Sequence, residues 1–522
     1  MDPSTPRAGT QLASAPTARG LATLLLVSVI VVAVALRLYR LAASSLWLDE
    51  GGSLHQSAGD GLWANLAHLA KSNGGDHYQP LYFVLLHFWR SVAGSSVLSL
   101  RLLSVLFALA ALAVLAITAA RVYGRRHALI TAALVALSAF FVMHAQEARP
   151  YALLMLLGSL LLLLFVGVRD ARLERAYPPA AWALWVCFGV AAFASITLWL
   201  MVAGLAFADA VVDRHPRRWL RTWLPCAGAA LPALGFYLLA RTALDPRSTG
   251  TTLAGGPVLR NALFAIYGLI AGTTFGPPIE QLHGTGIAGL LLDYWPALLA
   301  LAVATALALA LVVLAIARGD LSARERGVSL TLLISFLASY VLMFVFASAT
   351  GLNWQPRHSF FLALPLFLLL PLAVRCPRGS RRRVCRVLGY GALVVIALAN
   401  VYSLAHYYWD DAYARDDYRA VARYIKAESD PARRSVLLFG FPNLLRYYGD
   451  QGTIDGRRVP AERLAESVRA LTGGAPRVTL IANRERAFWK RPETIVDAMA
   501  ADYRFEGSVR FPYFTLYNFA LR

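Results

Sequence analysis

The sequence predicts a polytopic α-helical membrane protein of about eleven transmembrane helices followed by a small C-terminal extracytoplasmic α/β domain. Three observations predict it. Of 522 residues, 58% are hydrophobic and 15% charged, with mean hydropathy +0.54, whereas soluble globular chains are nearer 45–50% apolar and about 25% charged. The arginines behind the net charge of +20 gather in short loops between apolar runs, which excludes a nucleic-acid-binding chain and fits loops flanking a bilayer. After Tyr402 the long apolar runs cease. The same composition excludes an ordinary soluble enzyme and a disordered chain.

Crossing a bilayer as a helix takes about 20 apolar residues, with about 17 as the lower limit. The runs nearest that requirement are 21–41, 101–121, 128–145, 151–168, 180–196, 198–212, 222–240, 294–317, 328–348, 359–374 and 388–404. The stretch 180–212 is 33 residues, too long for one ordinary span and barely enough for two, and it divides near Ile196 and Thr197. With the N-terminus inside, the cytoplasmic segments carry 21 arginines, whereas the longer outer loops and helix ends carry ten basic residues. The outer ten are Arg37, Arg40, Lys71, Arg90, Arg101, Arg149, Arg241, Arg247, Arg260 and Arg357. That bias predicts a cytoplasmic N-terminus, and eleven spans then put the C-terminus outside.

Residues 1–20 are polar and Ala/Thr/Pro-rich, and are expected to be a disordered cytoplasmic segment; 21–404 form the transmembrane domain, with outer loops at 42–100 and 241–293. The first run ends in Arg37 and Arg40 without a small-residue cleavage site, and is expected to stay as a span. Residues 80–93, PLYFVLLHFWRSVA, reach only about 21 Å at about 1.5 Å per residue. His87 and Arg90 interrupt them, so a helix lying in the membrane interface is expected. Asp209, the one acid inside a span, is expected to snorkel toward Arg214. Cys187, Cys226, Cys376 and Cys385 fit neither a zinc pattern nor a disulfide framework.

Residues 405–522 read as a soluble domain large enough for its own core. DDYRAVARYIKAES has the spacing of an amphipathic helix, and SVLLFG and RVTLIAN read as buried strands. A helix around 460–472 and a hairpin of FEGSVRF and YFTLYNF complete it. Tyr408, Trp409, Tyr447, Tyr448 and Trp489 could stack on sugar rings, although core packing is the commoner role of such residues. No internal repeat or cofactor-binding glycine motif is present.

Four clusters share the outer face. LWLDEGG places Asp49 and Glu50 just beyond the first span; GGDHYQPLYF brings Asp76, His77 and Tyr78 to the start of the interfacial helix. MHAQEARPYALL puts Glu147, Arg149 and Tyr151 in and beside a tight turn, and GLNWQPRHSFF puts Arg357 and His358 at the head of a span. Each has a plainer reading: a solvated acid at Asp49, a local Glu147–Arg149 pair, a headgroup anchor at Arg357 and His358. Four polar clusters at one membrane depth favour a common cavity over four coincidences.

In order and content these features resemble the GT-C class of membrane glycosyltransferases, above all the family 39 group of protein O-mannosyltransferases, their bacterial relatives and the lipid A aminoarabinose transferase. The resemblance is carried by Asp49-Glu50, by Asp76 to Tyr82 with its Pro-Leu-Tyr helix start, by residues 99–137, and by QEARPY at the next outer turn. It is good over 21–168 and looser beyond, and Asp-Glu combined with the proline-led helix is its distinctive part. It implies transfer of a sugar, with inversion, from a polyprenyl-phosphate-linked donor to a lipid, glycan or protein acceptor at the outer face of a bacterial inner membrane.

By family position Asp49 is the expected base, with Glu50 and Glu147 as further catalytic carboxylates. Asp76, His77, Tyr78, Arg149, Tyr151, Arg357 and His358 are the expected substrate-binding residues. Arginine matches phosphate oxygens bidentately, so Arg149, Arg241, Arg247, Arg260 and Arg357 are the outer-face candidates for the donor phosphate, Arg357 first. The chain departs from its relatives in having His77-Tyr78-Gln79-Pro80 where many have His-Pro-Pro or a Glu before the proline. It has Arg149-Pro150 where the aminoarabinose transferase has Asp-Pro. Asp49, Asp76, His77 and Glu147 could ligate a divalent ion, but spacing does not separate that from hydrogen bonding. The rival reading from another class is a transporter or flippase for a lipid-linked substrate, which usually places charges or broken helices near the bilayer midplane.

Overall fold

The computed structural model describes residues 18–59, 61–70, 79–173, 178–243, 258–278, 287–375, 382–428, 430–483 and 492–522. Of the segment 1–20 expected to be disordered, residues 1–17 lie outside the described residues and Ala18–Gly20 already belong to the first helix; Asp76, His77, Tyr78, Arg247 and Trp489 also lie outside the described residues. Helices α1 (Ala18–Leu38), α2 (Leu48–Gln56), α3 (Leu62–Ala70) and α4 (Pro80–Ala93) come first. They are followed by α5 (Val97–Tyr123), α6 (Arg125–Leu137), α7 (Ala139–Ala145) and α8 (Tyr151–Leu173). Next are α9 (Pro178–Ala192), α10 (Ile196–Asp213), α11 (Pro216–Ala243), α12 (Val258–Ala271) and α13 (Ile287–Arg318). The membrane domain closes with α14 (Ala323–Thr350), α15 (Phe360–Leu369) and α16 (Arg382–Trp409).

Among the described residues seven helices are long and apolar enough to cross a membrane, and eight if the bent pair α6–α7 is one span. Three shorter apolar helices, Thr23–Leu38, Pro179–Ala192 and Phe360–Val374, coincide with the remaining predicted runs. The division of 180–212 falls between Ala192 and Ile196, where Ser195 accepts a hydrogen bond from the Thr197 N–H (3.2 Å) and caps α10. α12 was not foreseen, because its apolar stretch lies inside an expected outer loop.

The α6–α7 pair bends by 59° at Ser138, with neither proline nor glycine at the break. Polar side chains from other helices satisfy the backbone groups that the break frees. Buried Arg37 donates to the carbonyls of Val135 (3.2 Å) and Ala136 (3.4 Å). Asn400 of α16 accepts from the Ala139 N–H (2.8 Å) and donates to Ile270 (2.7 Å). The break thus ties α1, α12 and α16 together just below the turn that carries Glu147.

α4 is the short helix expected at 80–93, begun by Pro80 at a position where its missing N–H costs nothing. Its aromatic residues do not all face an interface. Tyr82 and Phe83 are buried, the Tyr82 hydroxyl lies 3.2 Å from Ser104 Oγ, and Trp89 donates to the Ser99 carbonyl (2.9 Å). Phe88 and Val92 keep an exposed apolar edge. Every residue of α15 is buried, so this helix is the centre of the bundle, and it delivers the Pro356–His358 turn at its head to the end of the bundle where α2 and the 146–150 turn lie. There Pro356 sits so close to Gly268 of α12 that a Cβ at 268 would lie 2.4 Å from Pro356 Cγ.

At the opposite end of the bundle, Asp170 binds Arg121 (3.0 Å) and Arg324 (2.6 Å), and Arg375 binds Glu325 (3.0 Å). Asp209 corrects the expectation of snorkelling toward Arg214. It is buried and paired with Arg172 (3.0 Å), and it accepts from the Trp223 indole N–H (2.8 Å). Two parallel bonds from Arg172 of α8 and the Trp223 N–H compensate the carboxylate where it is buried, so it has no need to reach the boundary.

The C-terminal domain carries α17 (Tyr418–Ala427), β1 (Arg433–Leu437), α18 (Pro442–Tyr447) and β2 (Ile454–Asp455). It continues with α19 (Leu464–Thr472), β3 (Arg477–Asn483), α20 (Pro492–Met499) and the hairpin β4 (Tyr503–Phe511) and β5 (Phe514–Leu521). The sheet order is β2-β1-β3-β5-β4, with β1 parallel to β2 and β3, and β5 antiparallel to β3 and β4. The expected strands and hairpin are present; α18, β2 and α20 are additions.

Candidate active site

Helix α2 begins shortly after the first long helix, and its first turn holds Asp49 and Glu50. Adjacent positions on a helix do not face the same way, and the two carboxylates have different surroundings. Glu50 is fully buried, and Arg101 of α5 grips it with two parallel bonds, Nε to Oε1 (2.8 Å) and Nη2 to Oε2 (2.7 Å). Glu50 also accepts from the N–H of Ala148 (2.8 Å) and of Trp47 (3.3 Å), the latter closing a capping interaction at the start of α2. Arg101 in turn donates to the carbonyls of Leu41 (2.8 Å) and Ser45 (2.8 Å). This pair fastens three pieces of chain to one another: the 41–45 turn, α2 and the 146–150 turn.

Asp49 stays partly open, with a quarter of its side chain accessible (24%). Its Oδ2 meets Arg357 Nη1 at 2.6 Å, joining the first turn of α2 to the turn ahead of α15. Arg149 adds a second guanidinium beside it, donating to the Asp49 carbonyl (3.0 Å) and to Ser53 Oγ (3.2 Å), and lying 5.9 Å from the ring centres of Phe83 and Tyr151. Buried Tyr151 stacks on Phe360 (5.2 Å) and packs an apolar surface beside the cluster. Among the described residues the buried Nε of Arg357 and the indole N–H of Trp47 have no hydrogen-bond partner. Two donors left open beside a carboxylate–arginine pair suit a ligand rich in oxygen acceptors.

Glu147 does not pair with Arg149. It is buried, bonded to His144 Nδ1 (3.2 Å) and to Arg415 from the start of the C-terminal domain. Burial opposes its ionisation, but Arg415 and His144 outweigh that and hold its carboxyl well below the usual carboxylate range. His358 is neutral: burial and the neighbouring Arg357 push its pKa down to about 3. Its Nδ1 accepts from the Gln355 N–H (3.2 Å), so the proton sits on Nε2 and the ring can donate a hydrogen bond without adding charge.

Of the residues expected from the sequence, Asp49, Glu50, Glu147, Arg149, Tyr151, Arg357 and His358 therefore converge, while Asp76, His77 and Tyr78 lie outside the described residues. Arg241 and Arg260 are exposed. Arg101 and Arg415 were missed as site residues; the only sequence signal for either was a basic residue next to a span. Among the described residues no group of three or more His, Cys, Asp or Glu is placed to hold a metal ion. Glu147 and Asp49 both face arginines instead.

The family described as dolichyl-phosphate-mannose-protein mannosyltransferase matches residues 76–239. None of the curated proteins matches the chain. Among solved structures, ArnT from Cupriavidus metallidurans in the apo state superposes with a TM-score of 0.57 at 15% identity, covering 96% of this chain and 98% of that one. The same protein bound to undecaprenyl phosphate gives 0.56 at 16% identity, again covering 96% and 98%. At such identities the superposition speaks for the fold alone. In fold along nearly its whole length, and in sequence over the stretch from the α4 entry to α11, this chain resembles the GT-C membrane glycosyltransferases.

Proposed function

We propose that the protein is an inverting glycosyltransferase that takes a sugar from a polyprenyl-phosphate-linked donor and passes it to a lipid, glycan or protein acceptor. The observation that carries this reading is the Asp49–Arg357 pair: among the described residues it is the partly open carboxylate of the cluster, held by an arginine whose Nε has no partner there. The acceptor hydroxyl attacks the anomeric carbon and gives its proton to Asp49, the new glycosidic C–O bond forms, and the C–O bond to phosphate breaks on the opposite face. The leaving polyprenyl phosphate departs with the bonding pair and an added negative charge. Arg357 and Arg149 stabilise that charge, and His358 supplies a neutral donor. An incoming phosphate competes with Asp49 for Arg357, so donor binding loosens the ion pair and frees the carboxylate for the acceptor.

In support, the matched family is named for a polyprenyl-type phosphate donor, and the ArnT structure that shares this fold holds undecaprenyl phosphate. The reading places the protein in a bacterial inner membrane, and the arginine bias of the loops supports an N-terminus in the cytoplasm with the site and C-terminal domain outside. The deciding experiment gives purified protein a panel of radiolabelled polyprenyl-phosphate sugars and measures release of free polyprenyl phosphate. Donor binding without release for any sugar or acceptor extract would turn the reading toward lipid transport.

Two further results are expected. Arg357→Ala removes charge-assisted bonds worth about 1.5–3 kcal/mol, so kcat/KM for the donor falls about 10- to 150-fold with a raised KM, and Arg357→Lys recovers part of it. An unchanged donor KM in Arg357→Ala would remove Arg357 from the phosphate site. Arginines rather than a divalent ion carry the phosphate charge, so turnover after exhaustive EDTA treatment stays within about twofold of the untreated enzyme. Loss reversed by a single added divalent cation would favour a metal held by carboxylates and imidazole drawn from Asp49, Asp76, His77 and Glu147.

A further inference from the structure

Glu147 is a buried acid in the membrane domain, yet the arginine that neutralises it comes from the chain beyond the last long helix, 268 residues away. Glu50 finds its arginine on α5, within the bundle. The guanidinium of Arg415 also lies 4.2 Å from the ring centre of Trp47, two residues before Asp49. Its neighbours continue the contact. Asp416 accepts from the Leu48 N–H (3.2 Å), and Arg419 donates to the carbonyls of Ala42 (3.2 Å) and Ala43 (3.1 Å). The Tyr448 hydroxyl, farther along the domain, accepts from the Leu46 N–H (2.7 Å). Leu444 presses on α2 so closely that a Cβ at Gly51 would lie 2.6 Å from its Cδ1.

We propose that Arg415 is a positioning residue of the transferase site, locking the segment that carries Asp49 to the turn that carries Glu147 and Arg149, so that the C-terminal domain forms a wall of the site. This rests on the transferase reading above. The physical basis is that a buried carboxylate left without its counter-charge is costly, so Glu147 holds the Arg415 stretch in place. That stretch in turn holds the backbone on both sides of Trp47. Asp49 has a partly open carboxylate to aim at an acceptor, and α2 is a short helix whose own hydrogen bonds do not fix its direction. Its aim comes from Arg101 on one side and from residues 415–419 on the other. Arg415 touches neither reacting atom in this arrangement; it acts through Glu147 and Trp47.

The test uses the full-length protein as Arg415→Ala, Arg415→Lys, Glu147→Gln and the Arg415→Ala/Glu147→Gln double variant, with wild type in parallel. Misplacing a reacting group by about 1 Å costs about 100-fold, so Arg415→Ala is expected to lower kcat by about 30- to 100-fold while the donor KM stays within about threefold. Arg415→Lys, which keeps the charge but not the fork, recovers to within about tenfold of wild type. The double variant is no worse than Arg415→Ala alone, because both substitutions break one linkage. If Arg415→Ala does not purify as a monodisperse protein, Arg415→Lys and Glu147→Gln carry the same kcat-against-KM comparison. Wild-type kcat in Arg415→Ala, or a loss confined to KM, overturns the positioning role. A wild type that releases no polyprenyl phosphate from any donor overturns the transferase reading first, and this inference with it.

Discussion

Asp49→Asn is expected to lower the rate of polyprenyl phosphate release by about 100- to 10,000-fold, the span over which a positioned general base contributes. The substitution keeps the shape of the side chain and leaves an amide oxygen able to accept from Arg357, so the 2.6 Å contact has a neutral replacement. What it removes is the capacity to take a proton. Donor binding should therefore survive, and tighten if it changes, because Arg357 no longer has to leave a carboxylate to meet the phosphate. The measurement is single-turnover release of radiolabelled polyprenyl phosphate together with equilibrium donor binding. A rate within about threefold of wild type would falsify the assignment of Asp49 as the base. Glu147 could not then replace it as the base, since it is buried and bonded to Arg415 and His144.

Much of this arrangement can be read from the chain because it depends on composition and order. The eleven apolar runs became helices because an apolar stretch of that length has few other ways to satisfy its backbone. Asp49 stands out as a candidate because an Asp-Glu pair directly after a first span, followed by a proline-led short helix, is a compact local pattern. Which carboxylate remains available was not legible. Asp49 and Glu50 are adjacent in sequence, and what separates them is Arg101, 51 residues downstream of Glu50, and Arg357, 308 residues downstream of Asp49. The bend at Ser138 was hidden for the same reason. Nothing at the break announces it, and the groups that make it tolerable come from Arg37 and Asn400, far away in the chain. α12 is different: its apolar and helix-favouring residues were visible, and only the loop in which they sit argued against a helix.

The Glu50–Arg101 pair predicts a contrast between stability and chemistry. Both side chains are almost fully buried, at 0% and 4% accessible. Arg101→Leu strands the Glu50 carboxylate and strips the Leu41 and Ser45 carbonyls of their donors. Breaking one side of a buried ion pair costs about 3–5 kcal/mol, so the variant should unfold well before wild type in a detergent denaturation series. Glu50→Gln/Arg101→Met removes the stranded charge while filling the volume. Much of the lost stability should return, because burying an unpaired charge costs more than the contact area that Arg101 gives up. The coupling between the two sites, from the double-mutant cycle, should exceed about 1 kcal/mol. If Glu50 only holds α2 in place, the double variant should also turn over within about tenfold of wild type, a loss of position about half that of a 1 Å displacement on a logarithmic scale. A double variant that is stable but as inactive as Asp49→Asn would instead give Glu50 a part in the chemistry, reached by a movement of Arg101 away from it.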